Sequence, residues 1–312
     1  MNAKRANWLF LCMILCNLVI TTGVQIICQV FWIDMSLATT NFIAEMSMFV
    51  PALIFILCTG DRFIDMFPVR KIRLQTALLV PVYLILIMPL CFFANSVTML
   101  FVENTVASIS GEILSMSLPL MVGSIGIFAP IVEELCYRGI LFHSYKRTGR
   151  VVAAIVLSAI LFGLMHMNLN QAAYAFLLGL MFAVLVEATG SILPSMIAHM
   201  LLNSSQVLMM YWESKGGADL LEEAANYSSE EVQQSLLASI GPLAVIALIG
   251  AGIAICLAYY MSKLENRSEY FANILKIKPP VNERGKKMRI VTVPLIFGMG
   301  ICVALIVVLM FA

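Results

Sequence analysis

The run Ala129-Pro130-Ile131-Val132-Glu133-Glu134-Leu135-Cys136-Tyr137-Arg138-Gly139 places two carboxylates and a guanidinium within six residues of an otherwise apolar segment. That segment extends over about residues 113 to 146, and a helix needs only about 20 apolar residues to cross a hydrocarbon core of ~30 Å. An ionisable group at mid-bilayer depth costs a few kcal/mol, so such groups persist where they do something. In a helix, Glu134 and Arg138 are i and i+4 on one face, while Glu133 projects about 100° away with Tyr137 above it. Arg138 can therefore neutralise Glu134, leaving Glu133 to face a cavity and handle a proton. Pro130, preceded by Gly123 and Gly126, frees the carbonyl of Gly126 and predicts a kink just before the acidic pair.

The rest of the chain is equally greasy: of 312 residues, 61% are hydrophobic and only 12% charged. Such a composition belongs in a bilayer and excludes a nucleic-acid binder or a large soluble domain. Apolar runs of spanning length fall near residues 8 to 32, 40 to 60, 75 to 94, 113 to 146, 151 to 167, 171 to 187, 191 to 211, 238 to 262 and 290 to 311. The fold class expected is all-α, a polytopic membrane bundle of eight or nine transmembrane helices around a buried polar site. Residues 95 to 112 are too polar and irregular for a crossing. With no internal repeat, low-complexity tract or linker, residues 1–312 read as one membrane-embedded domain. The apolar run from Trp8 to about Ile33 is too long for a signal peptide and reads as a retained first helix. The eight cysteines fall inside apolar stretches without metal-ligand or disulfide spacing and read as packing residues.

Alternating crossings put the N-terminus and the loops at 61 to 74, 147 to 150, 188 to 190 and 263 to 289 on one side. That side holds Arg62, Arg70, Lys71, Arg73, Lys146, Arg147, Arg150, Lys263, Arg267, Lys276, Lys278, Arg284, Lys286, Lys287 and Arg289, whereas the opposite loops hold only Lys215. Cations concentrate in cytoplasmic loops, so a cell-membrane location with a cytoplasmic N-terminus is expected. The acidic loop from Glu213 to Leu237, with Asp219, Glu222, Glu223, Glu230 and Glu231, is then outside.

Two of the three histidines, His166 and His199, lie in apolar segments, and Asn203 shares a helix face with His199. Counted along a helix, Glu133, His166 and His199 lie about 20, 24 and 14 Å from the basic ends of their segments, close enough to share one level once tilt is allowed. The link Asn168-Leu169-Asn170-Gln171 suggests a recessed hairpin, tolerable in a membrane only where it lines water or is buried in protein. His143 is expected to be merely interfacial, and Glu45 and Glu187, near helix ends, to be solvated.

Taken in order, Glu133-Glu134-x-x-x-Arg138, Phe162-x-x-x-His166 and His199-x-x-x-Asn203 resemble the three-part motif of the CAAX protease and bacteriocin-processing (CPBP, or Abi) family of intramembrane endopeptidases. The motifs cover residues 119–207, the expected catalytic core. The resemblance implies a hydrolase in which Glu133 activates water, His166 and His199 position or polarise it, and Asn203 with one imidazole stabilises the oxyanion. Glu134 and Arg138 would orient these groups. It also implies a protein or peptide substrate, prenylated in some family members and bacteriocin-related in others. On metal it leaves two versions: a zinc ion held by His166 and His199 with a carboxylate, or a metal-free mechanism with glutamate and histidines acting directly on water. The His-Glu-x-x-His zinc helix is absent, and the metal-free version is favoured. Two other classes compete: a silent bacteriocin-immunity or binding membrane protein, and a proton-coupled transporter, for which no inverted repeat is visible.

Overall fold

A computed structural model describes residues 1–216, 229–277 and 289–311; the acids Asp219, Glu222 and Glu223 and the cations Lys278, Arg284, Lys286 and Lys287 lie outside the described residues. The long helices are α1 (Ala3–Phe31), α2 (Leu37–Thr59), α3 (Leu74–Thr98), α4 (Leu118–Lys146), α5 (Val151–Leu164), α6 (Leu169–Thr189), α7 (Leu193–Gly216), α8 (Ser229–Leu264) and α9 (Val293–Met310), with no strand among the described residues. The protein is an all-α polytopic bundle. Among the described residues, seven helices are long and apolar enough to cross a membrane: α1 to α4, α6, α8 over Gln233–Leu264, and α9. The other two expected spans are helical but differ in kind. α5 has only 14 residues, and α7 is diluted by His199, Asn203, Ser204, Ser205 and Gln206.

Local chemistry sets the boundaries. Ser36 accepts a bond from the Thr39 amide to start α2, and Gly60, at φ 67°, ends it in the left-handed conformation that glycine adopts without a Cβ penalty. Asn168 caps α6 through the Gln171 amide at 2.7 Å. Residues 99–117 do not cross: short helices Thr105–Ser108 and Ser110–Leu114 lie between α3 and α4, the first capped by Asn104.

Where the sequence predicts a kink in α4, the helix carries two π-helical segments, Val122–Phe128 and Leu135–Leu141, flanking the acidic pair. π-turns release backbone groups from the α-helical ladder, and α7 takes up two of the carbonyls: Ser204 Oγ donates to Gly126 O and Asn203 Nδ2 to Ile125 O, each at 3.3 Å. The approach is close because Gly126 has no side chain; a Cβ there would sit 2.5 Å from Ser204 Oγ. Helices α5 and α6 form the expected hairpin, packed so tightly that a Cβ on Gly163 would meet the Ala172 carbonyl at 2.6 Å. The turn between them passes through Met167 at φ 53°, and its tip is bonded to α3, with Asn170 Nδ2 donating to Asn95 Oδ1 at 2.8 Å and Thr98 Oγ1 at 3.0 Å. Pairing the Asn170 amide nitrogen inside the protein helps make a polar tip tolerable there, although Asn170 Oδ1 is buried without a partner.

Candidate active site

α4 carries the acids, and its neighbours complete the cluster. Arg138 and Glu134 are both fully buried and form an ion pair, Nη1 to Oε1, at 2.9 Å. The guanidinium lies over the Phe162 ring of α5 at 4.2 Å and the Phe182 ring of α6 at 5.4 Å, a cation–π cradle that replaces some of the hydration lost on burial. Against Gly179, where a Cβ would come within 3.2 Å of Arg138 Nη2, the backbone leaves room for it.

His199 of α7 sits between the two acids. Its Nδ1 is 3.1 Å from Glu134 Oε1 and its Nε2 is 3.4 Å from Glu133 Oε2. A carboxylate paired with Arg138 can only accept, so Nδ1 carries the hydrogen towards Glu134. Nε2 then faces a second carboxyl group, a contact that is favourable only with a proton between them, on the ring or on Glu133. The Phe182 and Phe162 rings, 5.4 and 5.8 Å away, fix the imidazole plane. His166, at the end of α5, donates Nδ1–H to the Phe162 carbonyl at 3.0 Å, which leaves Nε2 of the neutral ring as an acceptor.

Glu133, His166, His199 and Asn203 all line one cavity of about 430 Å³, together with Tyr137, Gln171 and Tyr174. Glu134 and Arg138 do not line it; they stand behind His199. The six residues named from sequence therefore converge in two layers, four on the cavity and two supporting. The cavity wall also includes Asn17, Asn41, Glu45 and Gln206, which the motifs do not contain. Glu45 corrects an expectation. It is not solvated near a helix end but 6% exposed, eight residues into α2, and one of its oxygens has no partner. The sequence carries the signal, since an acid within an apolar span is functional by default, and α2 begins at Leu37 rather than near residue 40, which sets Glu45 deeper in the helix. Glu187 is likewise buried, bound by Lys146 and by Tyr270 Oη at 2.7 Å.

Among the described residues no group of three or more His, Cys, Asp or Glu side chains is arranged to hold a metal ion, and both nitrogens of His199 are directed at carboxyl groups. What the arrangement can do is acid–base chemistry: a carboxyl group, two imidazoles and an amide around one cavity able to hold water.

Residues 115–205 match the family model described as type II CAAX prenyl endopeptidase Rce1-like. The chain is 29% identical over 136 residues to a Bacillus subtilis (strain 168) protein named "Putative membrane peptidase YdiL", an alignment covering 43% of this chain and 50% of that one. The chain thus spans about half the length of this curated relative. No solved structure gives a significant match.

Proposed function

We propose that this chain, whose two matches support its assignment to the CPBP family, is an intramembrane endopeptidase that hydrolyses a peptide bond in a protein or peptide substrate with glutamate-activated water. The observation that carries this reading is the convergence of Glu133, His166, His199 and Asn203 on one cavity inside the bundle. The catalytic core is residues 119–207 of a single membrane-embedded domain, in the cell membrane with the N-terminus cytoplasmic.

Hydrolysis requires a base for the water, a donor for the oxyanion and a proton for the leaving amine. Glu133 takes the proton of a cavity water. His199, anchored through Nδ1, holds a proton at Nε2 beside Glu133 and supplies it to the oxyanion or the leaving nitrogen. His166 Nε2 accepts from the attacking water and orients it. Asn203, tied to the Ile125 carbonyl by one amide hydrogen, retains a second for the oxyanion. Every step is assigned to protein side chains.

The test compares membrane-bound peptide pools by mass spectrometry from cells with the wild-type protein and with membrane-inserted Glu133→Ala or His166→Ala variants. Uncleaved precursors accumulating in both variants is the expected result. Identical pools in all three would overturn the reading in favour of a binding or immunity protein.

A further inference from the structure

On the helices that reach the cavity the lining residues keep clear of the cationic ends, lying in the far half of α2, α5 and α6 and about the middle of α1, α4 and α7. In α2 they run from Leu37 to Met48, while its other end, Thr59, accepts from Arg5 at 3.4 Å. In α4 they run from Ile125 to Tyr137, and the helix ends at Lys146. Phe162 to Met167 stand at the opposite end of the α5 segment from Arg150, and Gln171 to Leu178 at the opposite end of α6 from Glu187, which Lys146 and Arg267 hold. In α7 the lining runs from His199 to Met210, whereas its start adjoins Ser191, which is bonded to Arg70 O at 2.8 Å. Arg73 N bonds Glu265 at the end of α8, and Asn7 near the start of α1 bonds Ile290 O before α9. These contacts knit the cationic segments into one end of the bundle. Val106, Ile109 and Ile113 of the 99–117 connection line the cavity at the other end.

Resting on the peptidase reading for what enters it, we infer that the cavity opens on the membrane face opposite the cationic loops. Cations concentrate on the cytoplasmic side, so this face is non-cytoplasmic. The substrate class follows: an exported peptide or the non-cytoplasmic segment of a membrane protein, rather than a lipidated C-terminus presented from the cytosol. A cytosolic substrate would have to pass the buried Arg138, Glu134 and Phe182, which fill the interior behind His199.

The test is labelling with a membrane-impermeant maleimide, in a background with the eight cysteines replaced, of Ile109→Cys at the cavity and Arg147→Cys in a cationic loop. Ile109→Cys should label in right-side-out vesicles and Arg147→Cys only in inside-out ones, with both reactive after denaturation. Labelling of both from the same face, of Ile109→Cys only in inside-out vesicles, or of Ile109→Cys from neither face would each overturn the inference. A second measurement needs no substitution: trypsin should cut the native chain between Lys263 and Arg289 in inside-out vesicles only, and cleavage there in right-side-out vesicles would overturn the orientation. Neither readout requires turnover, so a failure here is distinguishable from a failure of the peptidase reading.

Discussion

His199 Nδ1 lies 3.1 Å from Glu134 Oε1, a bond that joins α7 to α4 and aims the opposite ring nitrogen at Glu133. Glu134 thus serves two partners at once, the Arg138 guanidinium and the imidazole. Removing its charge leaves a buried cation without compensation, which costs about 3–5 kcal/mol. Glu134→Gln should therefore lower the thermal unfolding midpoint of the detergent-solubilised protein and abolish cleavage. The double variant Glu134→Leu/Arg138→Met, which removes both charges, should recover most of the stability without recovering cleavage. Restored cleavage in that variant would show that His199 needs no anchor.

Glu133 contrasts with its neighbour because it faces the cavity and carries no structural pair with Arg138. Glu133→Gln should lower the rate of peptide cleavage by about 10²–10⁴-fold, the contribution of a positioned general base, while the unfolding midpoint stays near that of wild type. A large loss of stability would reassign Glu133 to the framework.

The hairpin that delivers His166 depends on Gly163. A Cβ there meets the Ala172 carbonyl at 2.6 Å and the Phe176 amide nitrogen at 3.3 Å, both rigid backbone atoms. Gly163→Ala should destabilise by about 1–3 kcal/mol, whereas Gly23→Ala, with nothing within 4 Å of the new methyl, should be neutral or stabilising by up to about 1 kcal/mol. Paired thermal melts of the two variants check this, and equal midpoints would count against the tight α5–α6 packing.

At the cationic end, burial and then the Glu187 carboxylate raise the Tyr270 hydroxyl above its ordinary value. A group with a raised folded-state pKa contributes stability that is fully present below the unfolded value, about 10 for tyrosine, and is lost as pH climbs towards the folded value. Stability measured by thermal melts should therefore decline above about pH 10, and Tyr270→Phe should remove that part of the decline. An unchanged alkaline profile in the variant would disconnect Tyr270 from it.

On the metal-free mechanism proposed above, chelators should leave cleavage by the purified protein intact. Loss of activity on chelation with recovery on adding zinc would restore the zinc version of the site.

Much of this was legible in one dimension. Hydropathy and loop charge are sums over neighbouring residues, so seven of the nine expected spans, the loops that carry the cations and the α5–α6 hairpin could be read directly. The Glu134–Arg138 pair could be read too, because i and i+4 meet on any helix. The motif residues showed which side chains to watch. What only the tertiary structure decided was which of them meet. That His199 touches both acids, that Arg138 rests on Phe162 and Phe182, and that Glu45 joins the cavity depend on how α2, α5, α6 and α7 rotate and tilt around α4. That rotation is set by close approaches such as Gly126 on Ser204 and Gly163 on Ala172, contacts between residues far apart in the chain. In an apolar bundle almost any face of a helix tolerates lipid or protein, so composition cannot fix the rotation; packing between small residues and the pairing of buried polar groups does.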